Sequence, residues 1–293
     1  LQDVGESWQK AGQSINAITK PIQLASVALA AGGVASAKFA IDFEDNFANV
    51  KKTVDGTPQQ LQEVRQGIID LSTTGIDGRN AIPQTTAQLT ELAAAGGQLG
   101  IKTENIVGFT ETMAQMGTAT NLAGEQGAKT LARFMNVAGV SQDQLGNLGS
   151  SIVDLGNNFA TTEAEIADMA MYMGSTGANV GISAQDVLAY STALSSLGAE
   201  AASGGSAVSR IWMQMHQSVA EGGEDLETFA ELSGKSSEEF KEQWNTDASG
   251  AFQDFLKGLS KTDDQISTLS NLGFNNIRDL QALQKLSLIH ISE

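Results

Sequence analysis

The chain has 293 residues, of which 34 are acidic and 17 basic, for a net charge of -17. That balance excludes a non-specific grip on phosphate backbones, which needs clustered Lys and Arg, while 41% hydrophobic residues exclude a disordered chain. The absence of cysteine excludes a disulfide framework and a thiolate zinc site, and fits a cytosolic origin.

The sequence opens at Leu1, so the natural start is expected upstream. Residues 1–56 read as one long N-terminal helix, apolar and free of proline after Pro21. A kink is placed at Gly32-Gly33, since each glycine costs about 1 kcal/mol relative to alanine inside a helix. The stretch from Pro21 to Ala37 raises a membrane or secretory-signal reading, and Ala35-Ser36-Ala37 imitates a cleavage site. It is short for a membrane span of about 20 residues, and Asp3 and Glu6 precede it where a basic cluster is needed. A packed or partner-facing helix is the favoured reading.

Residues 57–221 form the expected core. Thr57-Pro58-Gln59-Gln60 places a hydroxyl at a helix cap, proline at the first helical position and an amide where it can return a bond. Similar boxes recur at Ser141 with Gln144, Thr162 with Glu165, Ser183 with Asp186, Ser236 with Glu239 and Thr262 with Gln265. Helices are expected at 58–73, 82–95, 103–116, 124–138, 142–158, 163–174, 184–197 and 203–220. Further along they are expected at 224–232, 237–245, 248–259, 263–271 and 275–285. No segment alternates at period two, so the fold class is all-α, a multi-helical array of short helices and helical hairpins with essentially no sheet.

Within this core the sequence repeats at an offset of 81 residues. Gly96 pairs with Gly177, Gly100-Ile101 with Gly181-Ile182, Gly117 with Gly198 and Gly124 with Gly205. Apolar positions follow the same register: Ile106 with Val187, Val107 with Leu188, Phe109 with Tyr190, Met113 with Leu194 and Met116 with Leu197. Spacings of three and four put these side chains on one helical face, and glycine suits the left-handed residue that ends a helix. Packing and punctuation repeat here, which points to a structural or binding role.

After Glu221 the composition shifts to a smaller acidic helical subdomain, 222–285, with Phe229, Phe240, Trp244, Phe252 and Phe255 among many carboxylates. Phe252, Phe255 and Leu259 have core spacing, and the carboxylates read as a solvated face. Residues 286–293, Leu286-Ser287-Leu288-Ile289-His290-Ile291-Ser292-Glu293, resemble the translated read-through of a sequencing adapter and are taken as a non-native tail. The natural sequence is expected to stop near Lys285, making this an interior piece of a longer protein.

No residue pattern supplies catalysis, a cofactor site or a metal site. Gly124-Glu125-Gln126-Gly127-Ala128-Lys129-Thr130 ends like a phosphate loop, but Ala123 and Ala128 stand where that loop needs glycine, and helix precedes it where a strand is needed. His216 lacks a partner placed by any motif and reads as a partly buried packing residue beside Trp212, Met215 and Val219. The pairs Glu224-Asp225 and Asp263-Asp264 lie in first helical turns, where carboxylates complement the helix dipole. Met113, Met116, Met169, Met171, Met173, Met213 and Met215 fit core filling, with an adaptable partner surface as the second reading.

Ile41-Asp42-Phe43-Glu44-Asp45-Asn46-Phe47-Ala48-Asn49-Val50-Lys51-Lys52-Thr53-Val54-Asp55-Gly56 resembles the opening signature of the core region of bacteriophage tail tape-measure proteins. Gly97 to Gly117, Gly181-Ile182-Ser183 through Leu197-Gly198, and Gly204-Gly205 through Met215 resemble that family's recurring turns, in the same order. The resemblance spans about residues 35 to 220 and weakens towards 285. It implies a non-enzymatic virion protein made in the host cytoplasm and held in the tail lumen. There it templates tail-tube assembly and length and leaves during genome ejection.

Implied partners are tail tube, tail tip and tail assembly chaperone proteins, with self-association in the lumen, no specific nucleic acid, and host membrane contact during ejection. An extended helix rising about 1.5 Å per residue is the ruler such a protein needs. The short, glycine-punctuated helices here lack a sustained heptad, so this region is expected to fold compactly while the long ruler lies outside it. Two other classes stay open: a membrane-active pore or ejection-channel component, and a helical cell-wall hydrolase.

Overall fold

A helix leaves its first backbone N–H groups without partners, so a side-chain oxygen beside them fixes where it starts. The structure is a computed structural model that describes residues 33–73, 82–122 and 124–289. Among the described residues there are fourteen α-helices and no strand, the all-α class expected from the sequence. They are α1 (Gly33–Thr53), α2 (Pro58–Thr73), α3 (Thr86–Gln98), α4 (Ile106–Ala119), α5 (Gly124–Ala138), α6 (Leu145–Asn158) and α7 (Glu163–Val180). Next come α8 (Ala184–Ser196), α9 (Ala201–Glu221), α10 (Glu224–Leu232), α11 (Ser237–Thr246), α12 (Ala248–Leu259), α13 (Gln265–Asn271) and α14 (Ile277–Ile289). Gly32 and everything upstream, including most of the Pro21–Ala37 stretch, lie outside the described residues. Among the described residues no helix is long and apolar enough to cross a membrane.

The caps explain most helix starts. At Thr57 the Gln60 N–H donates to the threonine Oγ1 at 3.3 Å, and the Thr57 N–H donates to Gln60 Oε1 at 2.9 Å. The same reciprocal pair opens α7 at Thr162 with Glu165 and α11 at Ser236 with Glu239. Ser183 caps α8 by accepting from the Asp186 N–H at 3.1 Å. Two expected boxes do not form. Ser141 makes no side-chain cap bond, because a 3-10 turn over Gln142–Gln144 precedes α6. At α13 the cap is Asp264, which accepts from the Ser267 N–H at 2.9 Å, while the Thr262 hydroxyl is spent on the Gly258 carbonyl.

Several helices differ in extent from the sequence reading, and two of them show why. The one expected at 82–95 starts at Thr86, since the Ile82 N–H is committed to the Leu71 carbonyl at 2.8 Å and Thr85 with Gln88 forms a reciprocal cap. The one expected at 163–174 runs on to Val180. Its interior glycines accommodate neighbours: a Cβ on Gly174 would meet Phe134 and Val137 at 3.1–3.3 Å, and one on Gly177 would meet Val187 at 2.8 Å.

In the triplets α3–α4–α5 and α7–α8–α9, the first helix packs against both of the others. Their first turns are built alike. The Ile101 N–H reaches the Gly96 carbonyl at 3.0 Å and the Ile182 N–H reaches the Gly177 carbonyl at 2.8 Å, with Gly100 at φ 80° and Gly181 at φ 84°. Ile106 and Val187 are fully buried, as are Met113 and Leu194. The likeness then fades. The helix α4 continues through Gly117, whereas α8 stops and Gly198 turns the chain at φ 71°, leaving Leu197 40% exposed where Met116 is buried. Gly124 opens α5 at φ 66°, but Gly205 lies inside α9 against α7.

One apolar cluster runs from Phe43 to Leu286. Tyr190, Trp212 and Phe252 meet edge to face with ring centroids 5.3–5.8 Å apart, joining α8, α9 and α12. Phe229, Phe240, Trp244, Phe255 and Leu259 are buried beside them. Leu286 and Ser287 lie in α14 and are buried as well.

Several carboxylates are held below their ordinary range. Burial pushes Glu44 up, but its hydrogen bond to Arg65 at 2.8 Å, the Arg65 charge and Lys51 outweigh it. Asp254 behaves alike, with burial opposed by Lys235 and Gln243, while Glu165 and Glu239 are lowered by their cap bonds. Groups whose folded pKa is depressed contribute stability above their unfolded pKa and lose it as pH falls through the folded value. Acid titration followed by circular dichroism is therefore expected to show stability declining as pH drops below the ordinary glutamate value of 4.5. Glu44→Gln should flatten that decline; an unchanged profile would deny Glu44 a part in it.

Candidate interaction surface

The structure scatters the polar residues that the sequence singles out. Lys129 sits one turn into α5 and pairs with Glu125 on a solvent-facing helix surface. The backbone carbonyl of Leu122 occupies the place where a side chain on Gly127 would go. That packing is a helix start, not a phosphate cradle.

His216 departs from the reading as a partly buried residue. It is exposed on α9, one position off the buried stripe of Trp212, Met215 and Val219, and its Nδ1 accepts from the Trp244 indole N–H at 3.3 Å. Glu224 and Asp225 lie in the first turn of α10, and Asp264 caps α13. Among the described residues no three His, Cys, Asp or Glu side chains converge on a metal-sized space.

Of the methionines, Met113, Met116, Met169, Met173 and Met215 fill the core. Met213 stands apart at 54% exposure. It lies in a trough of about 640 Å³ over the outer face of α9, lined by Thr176 of α7, by Ser209, Gln217 and Glu221 of α9, and by Asp225 of α10. On one side α7 runs alongside α9, with the Ser209 hydroxyl donating to the Tyr172 carbonyl at 2.7 Å. On the other side Arg210 grips the buried Asp279 of α14, its Nε 3.1 and 3.3 Å from the two carboxylate oxygens, and Gln214 donates to the Leu272 carbonyl. Helical spacing in the sequence marks neither Tyr172 nor Met213 as a surface residue. Their exposure follows from which side of α9 the other helices cover.

The family described as Phage-related minor tail protein matches residues 65–273. A relative described as "Probable tape measure protein", from Halomonas phage phiHAP-1, is 24% identical over 162 residues, covering 53% of this chain and 19% of that protein. The chain thus spans about a fifth of that relative's length. No solved structure matches. With the family match running from α2 to the end of α13, across both glycine-turned triplets and the aromatic junction, the chain belongs to the phage-related minor tail proteins, structural components of the phage tail.

Proposed function

We propose that this chain is a compact module of a tail tape-measure protein. The full protein templates tail-tube assembly and length, lies in the tail lumen, and leaves during genome ejection. The observation that carries this reading is the family match over residues 65–273, seconded by a relative described as a probable tape measure protein. The fold supports a division of labour. Short helices closed by glycine turns and packed on one continuous core cannot serve as an extended ruler, which needs about 1.5 Å of unbroken helix per residue. This region then docks tail tube, tail tip or chaperone proteins, and more extended stretches of the protein supply the length. A net charge of -17 suits a component that must not hold the DNA passing it.

The test is its place in the particle. In intact virions an antibody against this region should find no epitope and added protease should leave it whole, whereas particles triggered to eject should have lost it. Ready cleavage in intact tails, or full retention after ejection, would refute the lumen and release roles.

A further inference from the structure

We propose that the trough over α9 is a docking groove for a short amphipathic helix of another protein, one that carries lysines or arginines beside its apolar face. The inference deepens the docking role proposed above by naming the surface and the chemistry of the partner.

Met213 is the large apolar side chain exposed in the trough lining. It is 54% exposed on the floor, and Tyr172 on the α7 side is 48% exposed. Tyr172 stands one turn before the lining Thr176 on α7, and its carbonyl takes the hydroxyl of the lining Ser209, which puts it at the end of the trough. Scattered apolar residues need no explanation, but a grouping along a concave surface marks an interaction site. Helix-in-groove recognition uses such anchors at intervals of three and four residues, and methionine adapts its shape to the occupant.

Charge selects the occupant. Arg210 is the cation lining the trough, and the buried Asp279 already takes its guanidinium. Glu221, which accepts only from the neutral Gln217 amide, and Asp225 are left as the charges offered to a partner. A second copy of this chain brings a net charge of -17 and is repelled, whereas a basic segment is steered in and held in register. The groove runs from Ser209 to Glu221, about 18 Å of helix, so it fits about three turns of a docked helix.

The test titrates a fluorescent peptide of about 12 residues, leucines on one helical face and lysines on the other, into the 293-residue protein. The expected result is saturable binding that weakens about tenfold or more in Glu221→Lys with Asp225→Lys, and similarly in Met213→Glu. Glu91→Lys with Glu104→Lys, charge reversals at exposed sites on other elements, should leave the affinity unchanged, and a peptide with glutamates for lysines should not bind. Equal weakening by the control pair would show unspecific charge attraction and overturn the proposal. So would failure of the lysine peptide to bind, or a wild-type dimer that the trough substitutions dissociate. Because this titration needs no virion, its failure leaves the test of lumen location untouched.

Discussion

Trp212→Ala is expected to destabilise the whole chain by about 4 kcal/mol, the range for deleting a fully buried large aromatic side chain. The size follows from position. Trp212 has no exposed surface and meets Tyr190 and Phe252 edge to face at 5.7 and 5.8 Å, contacts that add to simple burial. Those rings lie on α8 and α12, so the indole joins the second glycine-turned triplet to the acidic helices. Tyr190 extends the junction through its hydroxyl, 3.2 Å from Ser249 Oγ. Removing the indole should therefore loosen both sides together. Urea unfolding followed by circular dichroism and, with Trp8→Phe also in place so that Trp244 alone emits, by tryptophan fluorescence should show both midpoints shifting in step. If the Trp244 signal kept the wild-type midpoint, the acidic helices would be an independent unit.

Gly205→Val is expected to cost about 3 kcal/mol by forcing α7 and α9 apart, the upper end for overpacking. A Cβ at this position would lie 2.7 Å from the Tyr172 Cβ and 2.9 Å from the Met169 carbonyl oxygen. One of these atoms is backbone and neither is the end of a flexible side chain, so the helices themselves must move. The Ser209 hydroxyl bond to the Tyr172 carbonyl, one turn further along, would be strained by the same motion. Its repeat partner Gly124 provides the contrast. Gly124→Ala meets no atom within 4 Å and should lose only about 1 kcal/mol, from holding a left-handed conformation at φ 66°. Equal losses in thermal unfolding at the two positions would mean that close helix approach is not what Gly205 provides.

These two glycines show how far the sequence could be read. Equal spacing marks Gly124 and Gly205 as one feature, and only the fold separates a turn residue from a contact residue. The all-α class was legible because caps and apolar spacing agree, and the reciprocal boxes at Thr57, Thr162 and Ser236 form as their spacing indicates. The boxes at Ser141 and Thr262 carry the same local signal but fail to form, since a 3-10 turn and a competing carbonyl intervene. Gly174 and Gly177 look like terminators and are interior residues, because helix packing rewards the missing side chain more than backbone entropy penalises it. The trough was not legible at all. Met213 and Met215 look interchangeable in sequence, and one is 54% exposed while the other is fully buried, an outcome set by where α7 and α14 cover α9.

The most direct measurement is made in the parent phage: delete the 81-residue repeat unit Gly100–Val180 in frame and measure tail lengths by electron microscopy. A compact docking module of a tape measure should give failed tail assembly, or tails of unchanged length that do not infect. Full-length, infective tails in normal numbers would contradict a tape-measure role for this region, and uniformly shorter infective tails would show that it counts toward length after all.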